Sequence, residues 1–134
     1  MIERAVVRYQ EKYEDQDYAD SKVIKRMFNG LRQRARTKGF PLQLSKKDVR
    51  EIMYKNCHYC GDGPSNTFVL FGESKEFRKE IKYQGIDRMD SNKGYIKGNI
   101  VPCCFQCNCL KWDNSMEDFI KKIEKLYFRL VKNK

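Results

Sequence analysis

A chain of 134 residues, 40% hydrophobic and 34% charged, is long enough for one modest core, too short for two ordinary domains, and not biased enough for wholesale disorder. Its net charge of +10 points to a polyanionic partner. No apolar stretch could span a bilayer, and the N-terminus lacks the basic start, apolar run and cleavage site of a secretory signal. An intracellular, reducing compartment (cytoplasm, nucleoid or nucleus) and no membrane partner are therefore expected.

The first twenty residues form a mildly acidic segment, with Glu11, Glu14, Asp15, Asp17 and Asp20 clustered, that is compatible with a helix. The charge then inverts: Ser21 to Arg50 carries ten basic residues against the single acid Asp48. Ser21 can cap a helix in which Val23, Ile24, Met27, Phe28, Leu31 and Ala35 recur every three or four residues, and Gly39 suits its end. Arg26, Arg32, Arg34 and Arg36 fall largely away from that stripe. Together with Lys25 and Lys38 they are the candidate nucleic-acid contacts, laid along a phosphate backbone. DNA is the expected partner and RNA remains open. A basic membrane-surface helix and a merely solvated basic face are the competing readings.

"FPLQL" reads as a short extended piece, and Ser45 with Asp48 as a capping box opening a second helix with Val49, Ile52 and Met53. Residues 21–56 thus form a basic helical lead-in. Residues 61–82 are an excursion with a strand at Phe68 to Phe71 and no assigned function. In residues 114–134, Ser115 and Asp118 repeat the capping box. There Phe119, Ile120, Ile123, Tyr127 and Leu130 trace a helical face expected to pack on the domain as core.

Cys57-His58-Tyr59-Cys60 and Cys104-Phe105-Gln106-Cys107 are two C-x-x-C pairs. Each tight turn lets two thiolates converge on one ion, and two turns complete a sulfur tetrahedron around zinc. Disulfides fit an oxidising compartment that the N-terminus does not suggest, and no βαβ pattern supports a thioredoxin-like redox pair. Cys103 can replace Cys104, and His58 can serve as a ligand, but the set taken is Cys57, Cys60, Cys104 and Cys107. Cys103 and Cys109 are then small, partly buried thiols.

Between the pairs, "YQGIDR" reads as extended, "MDSNKGYIKG" as a turn-rich loop, and "NIVP" as a second strand ended by Pro102, with a helix following. Taken singly, Asp87 and Arg88 read as a surface ion pair, Asn99 as a turn tie and Asn108 as a helix cap. Taken in order with the cysteines, over residues 57–113, the stretch "GIDRMDSNKGYIKGNIVPCCFQCNCLK" resembles the HNH endonuclease family of the ββα-metal fold, in particular the small HNH proteins of phages and mobile elements. Upstream, "LRQRARTKGFPLQLSKKDVREI" resembles the helical lead-in found there. The resemblance implies a single α+β domain, a zinc-stapled ββα unit with flanking helices, that hydrolyses phosphodiester bonds in DNA as a monomer or weak dimer.

It further implies that Asp87 and Asn108 hold a catalytic divalent cation, Mg²⁺ or Mn²⁺, and that Asn99 braces the ββ turn. Where the family carries a general-base histidine, this chain has Arg88. Arginine stays protonated and offers no acceptor, so it can grip a phosphate but cannot take a proton from water. Activity would then need a metal-bound hydroxide, or another acceptor such as Tyr95, Asp90 or His58, to generate the nucleophile. The alternative is a catalytically weak or inactive zinc module that binds DNA or RNA, as a part of a larger nucleoprotein assembly. A third reading is a protein-interaction domain pinned by zinc.

Overall fold

The computed structural model describes residues 15–72 and 76–133, so most of the N-terminal segment read as helical lies outside the described residues. Helix α1 (Gln16–Lys38) starts before Ser21, which is therefore not its cap. Asp15 is extended and its carboxylate accepts from the Asp17 N–H at 2.9 Å. Ser21 sits within the helix and donates its hydroxyl to the Tyr18 carbonyl. The earlier start follows from Ala19, which extends the buried stripe of Val23, Met27 and Leu31 by one turn, and from Asp20. That carboxylate is 3% exposed and accepts from Gln16, Tyr54 and Arg50, so its burial leaves no charge unpaired. The helix stops at Gly39, whose φ of 71° lets its N–H return to the Ala35 and Arg36 carbonyls.

Strand β1 (Leu42–Gln43) leads to α2 (Lys46–Ile52), opened by the reciprocal Ser45–Asp48 capping box. Residues 61–82 hold more than one strand: β2 (Asn66–Phe71) and β3 (Arg78–Tyr83) pair antiparallel, with Phe68 opposite Ile81. Leu70 and Ile81 are buried, so this hairpin belongs to the core.

Strand β4 (Gly85–Arg88) pairs antiparallel with β6 (Ile100–Cys103), joined by a loop that contains β5 (Tyr95–Ile96). Pro102 does not end β6, because Cys103 continues the ladder opposite Gly85. β5 turns away to pair in parallel with β1, Leu42 opposite Tyr95. Gly94 permits this approach: a Cβ there would lie 2.4 Å from the Pro41 carbonyl oxygen. The main core joins α1, α2, the hairpin and β4 through Val23, Leu31, Val49, Met53, Ile81 and Ile86.

Helix α3 (Phe105–Lys111) completes the ββα unit, and α4 (Met116–Tyr127) runs on as a wider π-type turn over Phe128–Lys132. The expectation that the last helix packs as core is overturned beyond its first turn. Phe119 is buried and meets the Tyr59 ring edge-on at 6.0 Å, but Ile120, Ile123, Tyr127 and Leu130 are 47–56% exposed. The helical period is real, and no described element lies alongside it to cover the apolar face.

Candidate metal centre and nucleic-acid cleft

The candidate metal centre is assembled from two turns. In the first, the Cys57 N–H donates to the Asp62 carbonyl and the Gly61 N–H returns to the Cys57 carbonyl, with Gly61 at φ 80° closing the knuckle. In the second, Cys104 is the N-cap of α3 and its sulfur accepts from the Cys107 N–H at 3.4 Å. The His58 N–H donates to the Pro102 carbonyl at 2.8 Å and ties the first knuckle to β6. The buried Gln84 side chain donates to the Lys55 and Asp62 carbonyls and fixes the first knuckle against the core.

The sulfurs of Cys57, Cys60, Cys104 and Cys107 then all lie within 4.8 Å of one another. Cys60 and Cys104 are 3.8 Å apart, too far for a disulfide of about 2.05 Å but matching the edge of a tetrahedron with metal–sulfur bonds of about 2.3 Å. The donor set therefore fits a metal such as zinc. Burial acts to raise the Cys57 thiol, but backbone hydrogen bonds from Cys60, Cys104 and Tyr59 outweigh it and bring it to about 6, whereas burial and the neighbouring sulfurs push Cys107 upward, so of these two Cys57 is the one favoured as thiolate. Cys103 is outside the cluster: its buried thiol donates to the Cys104 carbonyl, and burial with the nearby Asp87 charge pushes it upward. His58 is exposed and also outside it. Cys109 is exposed rather than partly buried.

Beside the metal centre lies a cleft of about 530 Å³. Asp87 on β4 and Asn108 on α3 both line it, as do Arg26, Arg34, Lys38 and Arg88. The basic candidates of α1 thus divide by helical phase. Arg26, Arg34 and Lys38 share one stripe with Gly30 at four-residue intervals and line the cleft, whereas Lys25, Arg32 and Arg36 do not. Arg34 donates from Nε to the Tyr95 hydroxyl at 3.2 Å, and Lys38 pairs with Asp113 at 3.5 Å.

Asp87 is 8% exposed, and its Oδ2 has two donors. The Tyr59 hydroxyl donates to it at 2.6 Å and the Lys111 ammonium approaches to 3.0 Å. Burial, followed by the hydrogen bond to Asp87, pushes the Tyr59 phenol upward and keeps it a donor. Lys111 has no exposed surface and also donates to the Arg88 carbonyl at 2.7 Å. Sequence reasoning missed both partners. The signal for Lys111 is the run Cys104, Cys107, Lys111, whose three- and four-residue steps put it on the buried face of α3.

Arg88 is also buried. Nη1 donates to the Ser91 and Lys93 carbonyls, and the guanidinium lies over the Phe40 and Tyr95 rings at 4.5 and 5.3 Å. Asn99 spans the same loop: its Oδ1 accepts from the Asp90 N–H and its Nδ2 donates to the Asp90 and Gly94 carbonyls. Of the three proton acceptors considered, Tyr95 lines the cleft; Asp90 and His58 do not.

No family model matches the chain. An uncharacterised protein, R423, of Acanthamoeba polyphaga mimivirus is 29% identical over 93 residues, which are 69% of this chain. The chain spans 15% of the length of that relative. Among solved structures it is similar to the rare-cutting HNH restriction endonuclease PacI, with a TM-score of 0.51 and 22% identity over 77% of this chain and 75% of that one. The chain thus has an α+β, HNH-like fold: a ββα unit beside four cysteines able to hold a metal ion, with helices flanking it.

Proposed function

We propose that the cleft binds nucleic acid and, with Mg²⁺ or Mn²⁺ held by Asp87 and Asn108, hydrolyses phosphodiester bonds in DNA as an HNH-type endonuclease. The observation that carries this reading is the meeting of a buried carboxylate, an exposed amide and the cations Arg26, Arg34 and Lys38 around one cleft. The fold likeness to an HNH restriction endonuclease supports it, as that protein is described as perturbing DNA. A hard divalent ion takes oxygen ligands, often one or two from protein side chains and the rest from phosphate and water, so Asp87 and Asn108 fit it. When bound, it supplies positive charge against the negative charge that builds on the phosphoryl group.

The chain's own groups do the rest. Arg26, Arg34 and Lys38 neutralise backbone phosphates, and Asn99 holds the loop between the strands. Arg88 stays protonated, braces the same loop through Nη1 and adds its charge to the cleft; a phosphate grip would use its other nitrogens. Tyr95 lines the cleft and its hydroxyl accepts from Arg34; it would take a proton from water only as the phenolate. Zinc at the four cysteines is structural and holds α3, with Asn108, against β6.

A specific observation favours the second reading, a nucleic-acid module without cleavage. Lys111 neutralises Asp87 from within the protein, and Arg88 supplies no base. Incubating the chain with supercoiled plasmid and Mg²⁺ or Mn²⁺ separates the two. The enzyme reading expects metal-dependent nicking that falls about 10²-fold or more in Asp87→Ala and Asn108→Ala. Asn108 is exposed, so its variant keeps the fold, as circular dichroism would verify, and Tyr95→Phe tests the proton acceptor. Retained DNA binding with no nicking by the parent chain establishes the second reading instead.

A further inference from the structure

We propose that the exposed face of α3 is a stacking site for unpaired nucleobases, so that the cleft prefers single-stranded or locally unstacked nucleic acid; this rests on the nucleic-acid reading above. The short helix has two faces of opposite character. Cys107 and Lys111 point into the protein and are buried. Phe105, Asn108, Cys109 and Trp112 are exposed and line the cleft.

Phe105 and Trp112 are 68% and 75% exposed, and neither stacks on another ring among the described residues. They bracket α3, Phe105 as its first residue and Trp112 as its C-cap, with Asn108 between them in the chain. Trp112 sits at φ 48°, ψ −132°, the one non-glycine residue with positive φ among the described residues, a strained setting that exposes the largest side chain in the cleft.

Arg26, Arg34 and Lys38 line the same cleft. Aromatic faces beside backbone-tracking cations are the chemistry by which single strands are bound without sequence preference. The bases of an intact duplex already stack on one another, so they offer these rings no free face. Lys38 already pairs with Asp113, but an apolar protein partner would cover the rings and leave Arg26 and Arg34 without an acidic counter-charge among the described residues.

Trp112 is the single tryptophan of the chain, so its fluorescence reports this site alone. The test titrates the 134-residue chain with an end-labelled oligothymidylate and with a fully paired duplex, reading label anisotropy and tryptophan emission together. The expected result is quenching by the single strand. Trp112→Ala, and to a lesser degree Phe105→Ala, should lower the ratio of single-strand to duplex affinity, by about 5- to 150-fold for the tryptophan, with Trp112→Phe restoring most of it. Oligothymidylate binding by anisotropy with unquenched emission, or an unchanged ratio in Trp112→Ala, overturns the stacking site and leaves the nucleic-acid reading intact. No anisotropy change with either nucleic acid overturns both.

Discussion

Lys111 has no exposed surface and holds the carboxylate around which the cleft is built. Removing one partner of such a pair strands the other charge. Lys111→Met should therefore cost about 3–5 kcal/mol of stability, measured by urea unfolding. The same substitution removes the ammonium that competes for Asp87 Oδ2, so Mg²⁺ should raise the Tm of the variant more than that of the parent; an equal response would take Asp87 out of the cation site. Tyr54 provides a second residue-scale test. Burial first, and then its hydrogen bond to Asp20, raise its phenol from 10.0 to about 12. Because the raised group favours the protonated form in the fold, its stabilisation is complete below pH 10 and lost as pH rises toward about 12. Tyr54→Phe should lose less stability than the parent between pH 10 and about pH 12 in denaturant titrations.

At the scale of elements, local rules read well where a short stretch decides its own structure. The Ser45–Asp48 capping box, the Gly39 stop and the strands around Asp87 and Val101 are of this kind. They fail where a distant partner decides. Ser21 resembles a cap, but Asp20 is drawn into the helix by Arg50 on α2 and by Tyr54 just beyond it. Strand β3 reads as charged excursion until its pairing buries Ile81. Helix α4 errs the other way, its periodic face lacking a described partner. Phe119→Ala should therefore cost about 3–5 kcal/mol in the 134-residue chain, because it removes the buried anchor on Tyr59. Ile123→Asp, on the exposed face, should change stability by no more than about 0.5 kcal/mol; a large loss would mean that the face is covered.

For the whole molecule, the four-cysteine cluster joins parts of the chain 44 residues apart, Cys60 and Cys104, and carries α3 with it. Metal analysis should find one zinc per chain. A strong chelator, or Cys57→Ser, should lower the Tm and loosen the cleft, since ligand convergence and folding are one event in small metal-stapled domains. Cys103→Ser, outside the cluster, should keep full metal content; loss of metal in that variant would mean that the second knuckle uses the other register.

By itself the sequence determined the two cysteine knuckles, the strand-loop-strand with Asp87 and Asn99, and the abundance of positive charge, because turn chemistry, period and composition act over a few residues. Only the tertiary structure decided which sulfurs meet, which face of α1 looks into the cleft and that Arg88 braces a loop. It also decided that Lys111 sits on the carboxylate and that Trp112 stands in the open. Those outcomes depend on helical phase and on contacts between residues far apart in the chain, and no local stretch encodes the distance between two side chains that meet only after folding.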